Sequence, residues 1–141
     1  MTVPASGEAD LGRLIRDLRP SVDTERWTFC VLPGDETPSP ALGAVVTVRE
    51  AEGWTAVVPL ERARSAGLAH AGAYRRITLT VHSSLEAVGL LAAVTRALAD
   101  AGIACNAVAG FYHDHLFVPE ARADDAITVL ARLAADAAAR G

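Results

Sequence analysis

Between Arg75 and Val118 the spacing of apolar residues changes period twice. Ile77, Leu79 and Val81 alternate with Arg76, Thr78 and Thr80, the two-residue repeat of a strand with one buried face. Val88, Leu91, Val94, Thr95 and Leu98 then recur at helical spacing, and Gly102 follows as a residue that ends a helix at positive φ without a Cβ clash. Residues 103–111 form a strongly apolar run. It pairs with residues 116–118 across the polar turn residues Tyr112, His113 and Asp114. A closing helix spans residues 124–139, with Ile127, Leu130, Leu133 and Ala134 on one face.

The first half carries weaker patterns. Leu11, Leu14, Ile15 and Leu18 make an amphipathic stripe that Pro20 stops. Strands are expected at 26–32, 44–49 and 54–58, the last two joined by the hairpin loop Glu50, Ala51, Glu52, Gly53. Residues 33–40 hold three of the seven prolines and read as a loop. Pro59 closes the third strand, and a short helix at 61–66 ends at Gly67. Residues 67–72 have linker character, so the boundary falls there: 1–72 as one half and 73–141 as the other.

The run Gly89-Leu90-Leu91-Ala92, with Leu98-Ala99-Asp100-Ala101-Gly102-Ile103, resembles the signature of the ACT-domain family, in which a glycine opens the first helix and "AGI" leads into the second strand. The match covers about a third of the chain. It departs from the commoner pattern, because seven residues, 82–88, separate Val81 from Gly89 instead of a short Asp-x-x-Gly turn. That longer loop and the run Tyr112-His113-Asp114-His115 are similar to lone or tandem bacterial ACT proteins without a catalytic domain. The resemblance implies an α+β fold of ferredoxin-like βαββαβ units with antiparallel sheet. It also implies binding of an amino acid or related metabolite at the first strand-to-helix loop, and a homodimer. A complete unit ends in a strand, whereas the last element here is a helix. The missing strand is expected from residues 26–32, lying beside 75–82, so that the two halves interleave.

The loop His82, Ser83, Ser84, Leu85, Glu86, Ala87, Val88 and Gly89 is the leading candidate site. Ser83 and Glu86 have capping-box spacing, and the free N–H groups of a helix start also suit a ligand carboxylate. An ordinary cap and a ligand loop both fit these residues. Gly89 would leave room for close backbone approach. Asn106, Tyr112, His113 and Asp114 complete the candidate set; Glu86 or Asp114 would pair with a ligand ammonium. His113 and His115, with His82 as a third, could instead be metal ligands, although Asp114 equally suits a turn that bonds its own backbone. A Ser83–His113–Asp114 triad is disfavoured, because adjacent strand residues point to opposite faces.

Composition narrows the function classes. The chain has 141 residues, 51% of them hydrophobic, enough for one compact core or two small ones. Its longest uncharged apolar run, 87–95, is far short of the roughly 20 residues that span a bilayer. The start MTVPASGEAD lacks a basic region before an apolar stretch, so a cytoplasmic location is expected. All 13 basic residues are arginine against 17 acidic ones, and the net charge of −4 opposes nucleic-acid backbone binding. Cys30 and Cys105 form no CxxC pair and read as free thiols. The expected protein is a non-catalytic, amino-acid-binding regulator without a cofactor. An assembly module or a small metal enzyme using His113 and His115 would be the alternatives.

Overall fold

The computed structural model describes every residue from Met1 to Gly141. In chain order the elements are α1 (Leu11–Arg16), β1 (Pro20–Val22), β2 (Trp27–Leu32), β3 (Val46–Glu50), β4 (Gly53–Pro59), α2 (Leu60–Ser65), β5 (His70–Leu79), α3 (Leu90–Asp100), β6 (Asn106–Ala109), β7 (Asp114–Pro119) and α4 (Ala123–Ala139). Short 3₁₀ turns occupy Pro40–Leu42 and Glu120–Arg122. Two compact units result: residues 24–75, and residues 1–23 together with 76–141. Strand β5 crosses from one to the other.

In the unit of residues 24–75 the strands lie in the order β3-β4-β2-β5 with antiparallel pairing, Cys30 opposite Ala56 and Val48 opposite Thr55. Counted along this unit, the fourth strand neighbours the first, the first the third and the third the second, which is the ferredoxin-like arrangement. Its first helix is reduced to the 3₁₀ turn Pro40–Leu42, because the proline-rich segment cannot donate a helical ladder. Cys30, Ala56, Val58 and Ala63 form the buried centre. Of residues 67–72, expected as a linker, 70–72 are the start of β5. Buried Thr28 donates its hydroxyl to the carbonyls of Ala71 (3.1 Å) and Gly72 (2.7 Å), where the register with β2 shifts, so an irregular strand stands where the glycines suggested a joint.

The other unit repeats the arrangement with its last strand supplied from the N-terminus. The order is β1-β5-β7-β6, with Pro20 opposite Leu79, Val22 opposite Ile77, and Asn106 opposite Phe117. Thus β1, not residues 26–32, borders β5 at Ile77–Leu79; β2 meets only residues 70–74 of that strand. Alternation could not reveal β1, since three residues are too few for a period and proline begins it. Helix α1 ends at Arg16 rather than at Pro20. The Asp10 carboxylate caps its start by accepting from the Arg13 N–H at 2.9 Å, and Leu18 is buried beyond its end. Leu14 and Leu18 join Ile77, Leu79, Val94, Leu98, Leu116 and Leu130 in one core. A partly buried ion pair, Arg76 Nε to Asp23 Oδ2 at 2.8 Å, fastens the residue after β1 to β5.

Helix α3 ends as the sequence predicts, at Gly102 with φ +71°. The Ile103 N–H bonds the Leu98 carbonyl and the Gly102 N–H the Ala99 carbonyl, both at 2.9 Å. Arg122 reinforces this end by donating to the carbonyls of Ala101 (3.2 Å) and Gly102 (3.3 Å). The apolar run 103–111 is strand only at Asn106–Ala109, because Ile103 is spent on the core under the helix end. No helix is long and apolar enough to cross a membrane.

Candidate functional site

The loop between β5 and α3 is held from outside by the N-terminal segment. The Glu8 N–H donates to the His82 carbonyl and the Ser84 N–H to the Glu8 carbonyl, each at 2.8 Å, so Glu8 bridges Ser83 in parallel. The expected capping box does not form. The Ser84 hydroxyl instead accepts from the Glu86 N–H at 3.1 Å, the Ala87 N–H bonds the Ser84 carbonyl, and the helix opens only at Leu90. Gly89 is the N-cap, at φ +102° and with no side chain to offer. A Cβ there would meet Leu11 Cδ2 at 3.0 Å, so Gly89 is required by its backbone and by its packing on α1. The first N–H groups of α3 therefore have no side-chain cap.

Those N–H groups face a cavity of about 160 Å³. Its walls are Ser83, Ser84, Leu85 and Ala87 from the loop, Gly89 to Ala92 from the helix start, and Ala109, Gly110 and Asp114 from the β6–β7 hairpin. Asp114 is only 7% exposed. It does not occupy the turn, which is closed by Gly110 N–H to His113 O at 2.9 Å; Asp114 is the first residue of β7, opposite Ala109, and its carboxylate has no hydrogen-bond partner. Burial pushes its carboxyl above the ordinary value, against a weaker pull downward from His113. A buried, unpaired acid and an uncapped helix start thus share one small space.

A second cavity, of about 340 Å³, shares Ser83, Ser84 and Leu85 and adds Ser6, Gly7, Glu86 and Phe111. His82 lines neither cavity. Its ring lies 6.0 Å from Phe111 and 5.4 Å from Tyr112, centroid to centroid. His113 turns Nδ1 toward the Val81 carbonyl at 3.4 Å, whereas His115 Nδ1 is 3.0 Å from the Thr78 hydroxyl. Burial, with Arg76 and His113 adding to it and Asp23 opposing, lowers the His115 pKa. No group of three or more His, Cys, Asp or Glu side chains stands close enough to hold a metal ion. Cys30 and Cys105 are free, and burial pushes both thiols up.

Of the predicted site residues, Ser83, Ser84, Leu85, Ala87, Gly89 and Asp114 meet around the smaller cavity, and Glu86 borders the larger one. Val88, 84% exposed, points to solvent; Tyr112 is exposed, and Asn106 is exposed on the edge strand β6. Sequence reasoning missed Leu90, Leu91, Ala92, Ala109 and Gly110, none of which carries polar side-chain chemistry. It also missed Ser6, Gly7 and Glu8, which lie in a segment with no periodicity.

Comparison with known proteins matches residues 6–75 to one family model and residues 73–132 to another, each described as an ACT domain. A crystal structure of a Vibrio cholerae protein of unknown function, described as a possible transport protein, is 40% identical; it covers 88% of this chain and 95% of its own, with a TM-score of 0.80. An Agobacterium tumefaciens protein superposes with a TM-score of 0.71 at 17% identity over 83% of this chain and 89% of its own. The regulatory subunit of aspartate kinase from Thermus thermophilus, in a ligand-free form, does so at 0.56 and 11%, over 81% and 95%. These two likenesses are of fold. No curated protein sequence matches the chain.

Proposed function

The chain is a member of the ACT-domain family, and on that premise we propose that it is a non-catalytic regulatory protein that binds a free amino acid or a related metabolite where β5 leads into α3. One observation carries the reading: the uncapped start of α3 and the buried, unpartnered Asp114 line the same cavity. A ligand carboxylate would complete the free N–H groups of Leu90, Leu91 and Ala92 and meet the positive end of the helix dipole. A ligand ammonium would pair with Asp114 and offset the desolvation that this carboxylate bears alone. Glu86, the other acid considered for the ammonium, borders the larger cavity instead.

In this reading residues 1–72 and 73–141 are two ACT-like halves, the first lending α1 and β1 to the second. The protein acts in the cytoplasm as a homodimer. Ligand binding shifts it between arrangements by its differential affinity for them. Calorimetry and thermal shift with the twenty amino acids test the proposal. At 100 times its dissociation constant a true ligand adds about 2.7 kcal/mol to folding stability. If none of the twenty stabilises or binds the protein, the amino-acid reading is wrong; a monomeric mass by light scattering at tens of micromolar removes the dimer.

A further inference from the structure

Resting on that reading of the site, we propose that the ligand is one of the smallest amino acids: glycine, alanine or serine. The cavity that holds both polar anchors measures about 160 Å³, close to the roughly 150 Å³ that accommodates one benzene-sized molecule. The ammonium, α-carbon and carboxylate common to every amino acid fill most of such a space. Much of what remains is faced by side chains that stop at Cβ, Ala87 from the loop, Ala92 from the first turn of α3 and Ala109 from β6, with Leu85 and Leu91 completing the wall. Leu90, on the same wall, is held in the core, so the cavity does not deepen toward it. The hydroxyls of Ser83 and Ser84, also on the wall, would suit the serine side chain.

The larger neighbouring cavity offers the competing possibility of an extended ligand that reaches past Ser83–Leu85 toward Glu86. A long cationic side chain would be its occupant, which makes arginine the discriminating probe.

Titrating the full-length protein with glycine, L-alanine, L-serine, L-leucine, L-phenylalanine and L-arginine by calorimetry, alongside Ala109→Val, tests the size limit. Ala109 is exposed on the edge strand β6, opposite Asp114, so a β-branched residue suits its backbone, and the variant adds volume to the cavity beside that anchor while leaving both anchors in the chain. The three small amino acids are expected to bind at least tenfold more tightly than the three large ones, given that one methylene in a fitted pocket discriminates by roughly 10- to 200-fold. Ala109→Val should weaken alanine and serine more than glycine. Leucine, phenylalanine or arginine binding as tightly as alanine overturns the size limit while leaving an amino-acid site in place. Absence of binding by all six and by the remaining amino acids overturns the site reading itself.

Discussion

Gly7 lies so close to His82 that a Cβ placed on it would stand 2.2 Å from the His82 carbonyl oxygen. The N-terminal segment and the β5–α3 loop are therefore packed backbone on backbone, with the Glu8 hydrogen bonds on either side of Ser83 as the seam. Gly7→Ala must push the two apart. We expect a loss of about 1–3 kcal/mol of stability, typical of forced overpacking, and a ligand affinity lowered by more than the stability change predicts. Unaltered affinity in a folded Gly7→Ala protein would show that the seam does not shape the site.

Residues 1–23 should be indispensable to the unit that contains the site. Leu14 and Leu18 are fully or almost fully buried in its core, and β1 covers the edge of β5 at Ile77–Leu79. A fragment of residues 74–141 exposes that edge and core surface together, an invitation to aggregation. It is expected to be poorly folded by circular dichroism and thermal denaturation. A soluble fragment with a cooperative transition would contradict the exchange of α1 and β1.

Gly89 and Ser83 should differ in the opposite sense from a simple capping scheme. Any residue but glycine at φ +102° is strained, and a branched one also meets Leu11, so Gly89→Val is expected to cost about 1–3 kcal/mol whether or not ligand is present. The Ser83 hydroxyl caps nothing, and Ser83→Ala should stay within about 0.5 kcal/mol of the parent. Urea denaturation of both variants decides the matter; a loss above 1 kcal/mol for Ser83→Ala would restore the capping box.

Acidity should act on Asp114 and His115 in opposite directions. The Asp114 carboxyl is raised above its ordinary 3.8, so the fold favours its protonated form and loses that contribution as pH rises through the raised value. Asp114→Asn should accordingly be more stable than the parent at pH 7 without ligand, with the difference fading below pH 3.8, yet bind an amino acid more than tenfold more weakly. His115 is lowered from 6.5; its contribution is complete above that value and is lost as pH falls through the lower folded one. His115→Gln should flatten the decline of stability below pH 6.5. Denaturation curves from pH 3 to 8 for the two variants and the parent check both signs.

Where a residue's neighbours in sequence are also its neighbours in space, the chain was readable. The β5-α3-β6-β7-α4 succession and the Gly102 helix end follow from local period and local turn chemistry, and the ferredoxin-like class was what the family resemblance of Gly89 to Ile103 implied. Distant partners were not readable in the same way. Pro20–Val22 is a strand only because Ile77–Leu79 offers it an edge, and His70–Gly72 is a strand only because Thr28 and its neighbours pair with it. Ser83 and Glu86 have the spacing of a cap, but the Glu86 N–H goes to the Ser84 hydroxyl instead. The same held for the site: its acids and hydroxyls were visible, and Ala87 with them, while Ala92 and Ala109 carry no signal until the hairpin meets the helix.

Arg122 gives α3 a lopsided electrical character. Its guanidinium lies against the carbonyls that form the negative end of the helix, and no side chain answers the positive end at Leu90. Any charge that completes the helix would have to come from solution. An arriving carboxylate would find the dipole already oriented and its far end already anchored, so little rearrangement would be needed to receive it. Loosening Arg122, well away from the cavity, would then be felt there as a softer helix rather than as a lost contact.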